Sequence, residues 1–181
     1  AILSLMARLG SSDPVELRSS LEEIAAGFEL TKFGSSPTKF DEADLLPLTA
    51  KHLQSLDLSD VAETISALGV PDDLAAQFWD VAKDNITTLH DLEGWWKLFR
   101  DGAAPMIEDE DAEFVAQALT MLPDGPYTDA SWGEWTAAVK AETGRKGRGL
   151  FMPLRRAITG LSHGPDMSKV LLLMQVIKAK G

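Results

Sequence analysis

The chain has 181 residues, no cysteine and a formal net charge of −11, with 45% hydrophobic residues. That length can bury a real core as one domain or two small ones. The missing cysteines exclude disulfides and thiolate metal sites and fit a reducing compartment. The longest apolar run, residues 170–174, is too short to cross a bilayer. Residues 1–9 are apolar but lack a basic leader and are interrupted by Arg8, so no signal peptide is expected. The first residue is Ala1 rather than methionine, which suggests a piece of something longer.

Taken in chain order, nearly every segment reads as helix. Residues 2–9 form a short apolar helix closed by Gly10. Ser20 with Glu23 has the spacing of a capping box ahead of Ile24. Residues 34–37 are a Gly/Ser/Pro break. Residues 41–55 carry apolar side chains at 45, 48 and 53, with Thr49 beside Leu48, a helical period. Residues 57–68 repeat it, and Gly69 stands where a C-terminal cap is expected. Pro71, Asp72 and Asp73 open a helix running to about Asp84, with acids at the positive end of the dipole. Further helices are expected over 89–99, 109–122, 131–142, 153–159 and 167–178. No alternating strand pattern and no repeat appears. The expected class is all-α, an array of short helices.

Charge is distributed unevenly. After residue 136 there are nine Lys/Arg against Glu142 and Asp166, a net +7, while the first 136 residues carry −18. Such asymmetry points to a polyanion bound at one end. Within the basic part, Gly144, Gly147 and Gly149 let the backbone approach a ligand closely. Arg145, Lys146 and Arg148 in that loop can neutralise phosphates, and a helix opened by Pro153 would add backbone donors. Lys140, Arg155, Arg156 and His163 complete the candidate set. One of the two adjacent arginines is expected to flank the core formed by Leu154, Ile158 and Leu161. The loop is not a P-loop, because no Gly-Lys-Ser/Thr follows.

Other constellations carry less. His52, His90 and His163 are too scattered for a metal site. Trp132, Trp135 and Val139 fall on one helical stripe, which argues for core, and of adjacent Trp95 and Trp96 one should be buried and one partly exposed. The acidic residues 108–111 read as a negatively charged helix start. No nucleophile-elbow or Cys/His arrangement is present. Met167-Ser168-Lys169 looks like a synthetase signature loop but lies at a helix start with no nucleotide-binding fold around it.

The run Thr143-Gly144-Arg145-Lys146-Gly147-Arg148-Gly149-Leu150-Phe151-Met152-Pro153-Leu154-Arg155, then Ala157-Ile158-Thr159-Gly160 and His163-Gly164-Pro165, resembles the end of bacterial glutamyl-tRNA synthetases. The family pattern is GxKGxxLFxPLRxALTG followed by HGP. Leu5 to Gly10, Ser36-Pro37 with Phe40-Asp41, Leu48 to Lys51 and Trp132 to Trp135 resemble other family segments in order, with Thr49 where asparagine is usual. The resemblance implies a stem-contact region over residues 1–60 and an anticodon-binding helical domain of the cage type over 61–181, subdivided near 123–130. It also implies a cytoplasmic protein whose partner is tRNA, with Arg155 at the family's PLR position.

The family ligates glutamate to tRNA with ATP and magnesium in an N-terminal Rossmann-type domain. No HIGH-type or KMSK-type loop is present, so no cofactor and no activity are expected of this chain alone. Family members that reject glutamine tRNA carry an arginine in the helical region after the stem-contact fold. Residues 71–99 hold only Lys83 and Lys97, which leaves glutamine tRNA as a second candidate partner beside glutamate tRNA. The alternative reading is an all-α protein-interaction module with a basic C-terminal docking face. A DNA-binding domain fits less well, since DNA readers carry their basic residues on a recognition helix.

Overall fold

The computed structural model describes residues 1–180. Ten α-helices run through it: α1 Ile2–Met6, α2 Leu21–Ala26, α3 Leu45–Gln54, α4 Leu58–Ala67, α5 Asp72–Ala82, α6 Asp91–Asp101, α7 Ala112–Thr120, α8 Ser131–Thr143, α9 Arg148–Thr159 and α10 Met167–Leu173. Among the described residues the sole extended pairing is one antiparallel bridge, Ser11 with Phe33. The protein is all-α, as its sequence periods predict.

Local chemistry starts these helices where expected. The Glu23 N–H donates to Ser20 Oγ (3.2 Å), and Glu23 Oε2 accepts from the Ser19 N–H (3.0 Å) rather than from Ser20 itself. At α4, Asp57 and Asp60 form a reciprocal capping box that satisfies two orphan donors. Gly69, at φ +76, follows its last turn.

The core joins α4 through α10. Phe78 on α5 and Phe99 on α6 are fully buried and meet edge to face at 6.0 Å; Trp96 packs on Phe78 at 5.7 Å. The quadrupoles of the rings favour this geometry over flat stacking. Two buried tryptophans also tie elements together by hydrogen bonds. Trp79 Nε1 donates to Leu56 O (3.1 Å), and Trp135 Nε1 donates to Ala118 O (2.9 Å). α9 contributes Leu150, Pro153, Leu154, Ala157 and Ile158 to the same core. The first helices are different. Leu5 is buried, but Ile2, Leu3, Met6, Leu21 and Leu30 stay exposed, Leu30 at 77%.

Three expected helices differ in extent, and the one expected over 2–9 ends at Met6. The helix expected to begin at Pro153 begins at Arg148, so Pro153 sits inside α9. The helix expected over 167–178 stops at Leu173, where Met174 turns extended. The chain then doubles back, and the Gln175 N–H donates to Phe99 O (2.8 Å). Met174 and Ile177 are buried in this non-helical segment. An apolar period alone does not distinguish continued helix from a buried extended segment.

Candidate nucleic-acid interface

The six Lys/Arg and the one histidine singled out by the sequence come together around α8 and α9, but they divide into different jobs. Gly144 ends α8 in the left-handed conformation (φ +69), which a side chain would strain. The chain then reverses over four residues and enters α9. Lys140, Lys146 and Arg148 are exposed along this corner. None has an ion-pair partner among the described residues.

Arg145 is not available to a ligand in the way the loop sequence suggests. Its guanidinium pairs with Asp111 and lies 4.0 Å over the Phe114 ring. Arg145 Nη1 also donates to Gly149 O (3.2 Å). That carbonyl lies four residues before Pro153, which has no N–H to give it. The proline inside α9 therefore leaves an acceptor that Arg145 fills. Arg145 clamps the glycine loop to the start of α7.

Arg156 is likewise engaged. Arg156 Nη1 donates to Glu108 Oε1 (2.9 Å), and the Arg156 carbonyl accepts from the Met106 N–H (3.0 Å). Its Nε is buried with no partner. The acidic residues 108–111 thus do more than meet a helix dipole: Glu108 and Asp111 neutralise Arg156 and Arg145. Both adjacent arginines are half-buried, so neither is fully solvent-directed.

Arg155 is different. It is half-buried on the outer side of α9, and Arg155 Nη2 donates to Pro165 O (2.8 Å). Burial lowers its pKa, opposed by the nearby Asp166 charge. No carboxylate pairs with it. A guanidinium carries five N–H donors in a planar fork, and no second acceptor engages Arg155 among the described residues. Asp166 is occupied elsewhere: the Ser168 hydroxyl and N–H hold its carboxylate below the usual range and make it the cap of α10.

Beside Arg155 the His163-Gly164-Pro165 turn folds over the end of α9. At Gly164 (φ +136) a Cβ would stand 3.5 Å from both Arg155 Nη1 and Trp95 Cη2. Trp95 is half-buried, rests on Phe99 with ring centres 6.0 Å apart, and its Nε1 donates to Asn85 O (3.4 Å). Trp96 is the buried one of the two adjacent tryptophans. A shallow groove of about 530 Å³ opens here, lined by His90, Trp95, Lys97 and Leu161 among others. His163 is exposed, its Nδ1 3.4 Å from Ser162 Oγ. No group of His, Asp and Glu among the described residues could hold a metal ion.

The arrangement is therefore a cationic corner (Lys140, Lys146, Arg148) continued along α9 to a guanidinium flanked by an indole and a glycine turn. Arg148 and Arg155 are seven residues apart, two turns on one face. Trp95 was not among the residues the sequence singled out for binding. Its signals were that the two adjacent tryptophans could serve as a base-stacking platform and that one of them must leave the core.

Unpaired cations can neutralise phosphates, and a half-buried aromatic beside them can stack on bases. A family model described as anticodon binding domain matches residues 49–175. The chain belongs to that family of anticodon-binding domains. It is 64% identical over 180 residues to glutamate–tRNA ligase 1 of Roseobacter denitrificans, covering 99% of this chain and 41% of that relative. It is 63% identical to glutamate–tRNA ligase 2 of a Ruegeria species, covering 100% and 41%. The chain spans about two fifths of the length of these curated relatives. In fold it resembles the glutamate–tRNA synthetase of Elizabethkingia anophelis, with a TM-score of 0.73, 17% identity and coverage of 96% of this chain and 37% of that one. It is also similar to a glutamate–tRNA ligase of Elizabethkingia meningosepticum, crystallised with its amino acid, with a TM-score of 0.72, 18% identity and coverage of 99% and 38%.

Proposed function

We propose that this chain binds the anticodon arm of tRNA as the C-terminal portion of a glutamate–tRNA ligase. The observation that carries the reading is Arg155, a half-buried cation with no acid partner, on a helix that starts with exposed Arg148 beside exposed Lys146 of the preceding turn and Lys140 of α8. Phosphates would be met at the exposed corner, and unstacked bases at Arg155, Trp95 and the His163–Pro165 turn. Arg145 and Arg156 would support this face from behind through Asp111 and Glu108. Residues 1–60 would touch the tRNA stem and residues 61–181 the anticodon arm.

The remaining three fifths of such a ligase would use ATP and magnesium to join glutamate to the tRNA. The exposed apolar side chains of α1, α2 and the turn at Leu30 give that portion a surface to pack on. Cytoplasmic location follows from a role in translation. Among the described residues no helix is long and apolar enough to cross a membrane. Glutamate tRNA is the first candidate ligand, with glutamine tRNA the second because residues 71–99 lack arginine.

Two outcomes are expected. Each phosphate contact on single-stranded RNA contributes roughly 0.7 to the slope of log affinity against log salt. Replacing Lys140, Lys146 and Arg148 together by alanine should flatten the slope for glutamate tRNA by about 2. The fold should hold, because exposed unpaired charges carry little stability. An unchanged slope in a folded triple variant would remove the cationic corner from the interface. The purified chain alone should also show no glutamate-dependent ATP–pyrophosphate exchange above background. Measurable exchange would contradict assignment of the chemistry to the rest of the ligase.

A further inference from the structure

Phe151 is an exposed aromatic on a helix that otherwise sorts its residues strictly. α9 buries Leu150, Pro153, Leu154, Ala157 and Ile158, yet Phe151 on its flank remains 45% exposed. At about 100° per residue, Phe151 lies roughly 60° around the helix from Arg148 and 40° from Arg155. Its ring centre is 6.3 Å from that of Trp132, with the planes 37° apart.

Trp132 is half-buried and stands edge-on to Trp135 at 5.5 Å. Trp135 is in turn buried and hydrogen-bonded to Ala118 O. The pair is thus anchored at its inner end and open at its outer end. Arg148 stands one turn before Phe151, and Lys146 two residues earlier; both are exposed and unpaired among the described residues.

A rigid, open aromatic pair beside cations that lack acid partners is the composition that stacks unpaired bases and holds their phosphates. A protein partner would call for a contiguous apolar patch of several hundred Å². Here one exposed ring is bordered by Arg148 and by the charged turn before it, so the charge favours a polyanion.

We propose that the Phe151–Trp132 ledge is a stacking site for one unpaired loop base, next to the Arg155 end and separate from it. The proposal rests on the tRNA reading above. Phe151 and Arg155 are about one turn apart, ~6 Å along the axis, so neighbouring nucleotides of one strand can engage both. Stacking of this kind accepts any base, because every base has a π face. The ledge would therefore strengthen binding without selecting sequence.

The test uses the anticodon hairpin of glutamate tRNA, with 2-aminopurine placed at one loop position at a time, titrated with the whole chain. Phe151→Ala should weaken binding about 5- to 100-fold with an unchanged salt slope, since no phosphate contact is lost. Phe151→Tyr should bind like the starting protein. Phe151→Leu keeps apolar bulk without a π face and should bind like the alanine variant. One 2-aminopurine position should be quenched by the starting protein and not by Phe151→Ala. Alanine is a better helix former than phenylalanine, so α9 should persist, and thermal unfolding of each variant checks this. A leucine variant that binds like the starting protein, or no position whose quenching depends on Phe151, overturns the stacking site. If the starting protein fails to bind the hairpin at all, the tRNA reading falls with it.

Discussion

Replacing Arg155 by alanine is expected to weaken binding of glutamate tRNA by roughly 30-fold, or about 2 kcal/mol, the worth of a hydrogen bond made by a charged group. The reason is placement. Arg155 is partly withdrawn from water and has no carboxylate to neutralise it, so its field and its spare donors are available to a ligand. The loss of its bond to Pro165 O should cost about 2 kcal/mol of stability, which leaves a protein of ordinary stability folded. Arg155→Lys keeps the charge but not the planar fork and should restore only a small part of the affinity. Arg156→Ala is the control. It removes the Glu108 pair, so it should disturb packing of the segment at Met106 more than tRNA binding. Labelled-tRNA titrations beside thermal melts separate the two. Equal affinity losses for the Arg155 and Arg156 variants would mean that charge alone matters, without the distinction drawn between them.

Phe78→Ala should be the most damaging single change to the fold. Phe78 is fully buried and touches Trp96 and Phe99 edge to face, joining α5 to α6. Truncating such a ring removes its transfer free energy and leaves a cavity, about 3–5 kcal/mol together. Against a typical total of roughly 5–15 kcal/mol, that is a large share. Equilibrium urea unfolding measures it. A loss under about 1 kcal/mol would place the centre of the core elsewhere. Because α6 also carries Trp95, partial unfolding at Phe78 should weaken tRNA binding as well.

Much of this architecture was legible in the sequence because its signals are local. Asp57 with Asp60, Ser20 with Glu23, and the glycines after α4 and α8 mark helix ends through bonds spanning three or four residues. The burial of Trp135 and Val139 followed from helical spacing, while Trp132 on the same stripe is only half-buried, and spacing did not say which of Trp95 and Trp96 enters the core. Features set by distant partners were not legible. Asp111 lies 34 residues from Arg145, and Glu108 lies 48 from Arg156. No periodicity predicts those pairs, so a loop that reads as three available cations has two. The start of α9 was missed because proline favours a first turn, whereas here the carbonyl it leaves unpaired is taken up by Arg145. The end of α10 was missed because its buried residues fit a longer helix equally well.

The RNA contact proposed above lies on the outer face of α9. Its most direct measurement is the affinity of the unmodified chain for the anticodon hairpin of glutamate tRNA, set against a DNA duplex of equal charge at the same salt. Saturable binding of the hairpin is expected, with a salt slope set by a few phosphates, competed by whole glutamate tRNA, and with much weaker binding of the duplex. Equal binding of hairpin and duplex, or no binding of either, would contradict that contact.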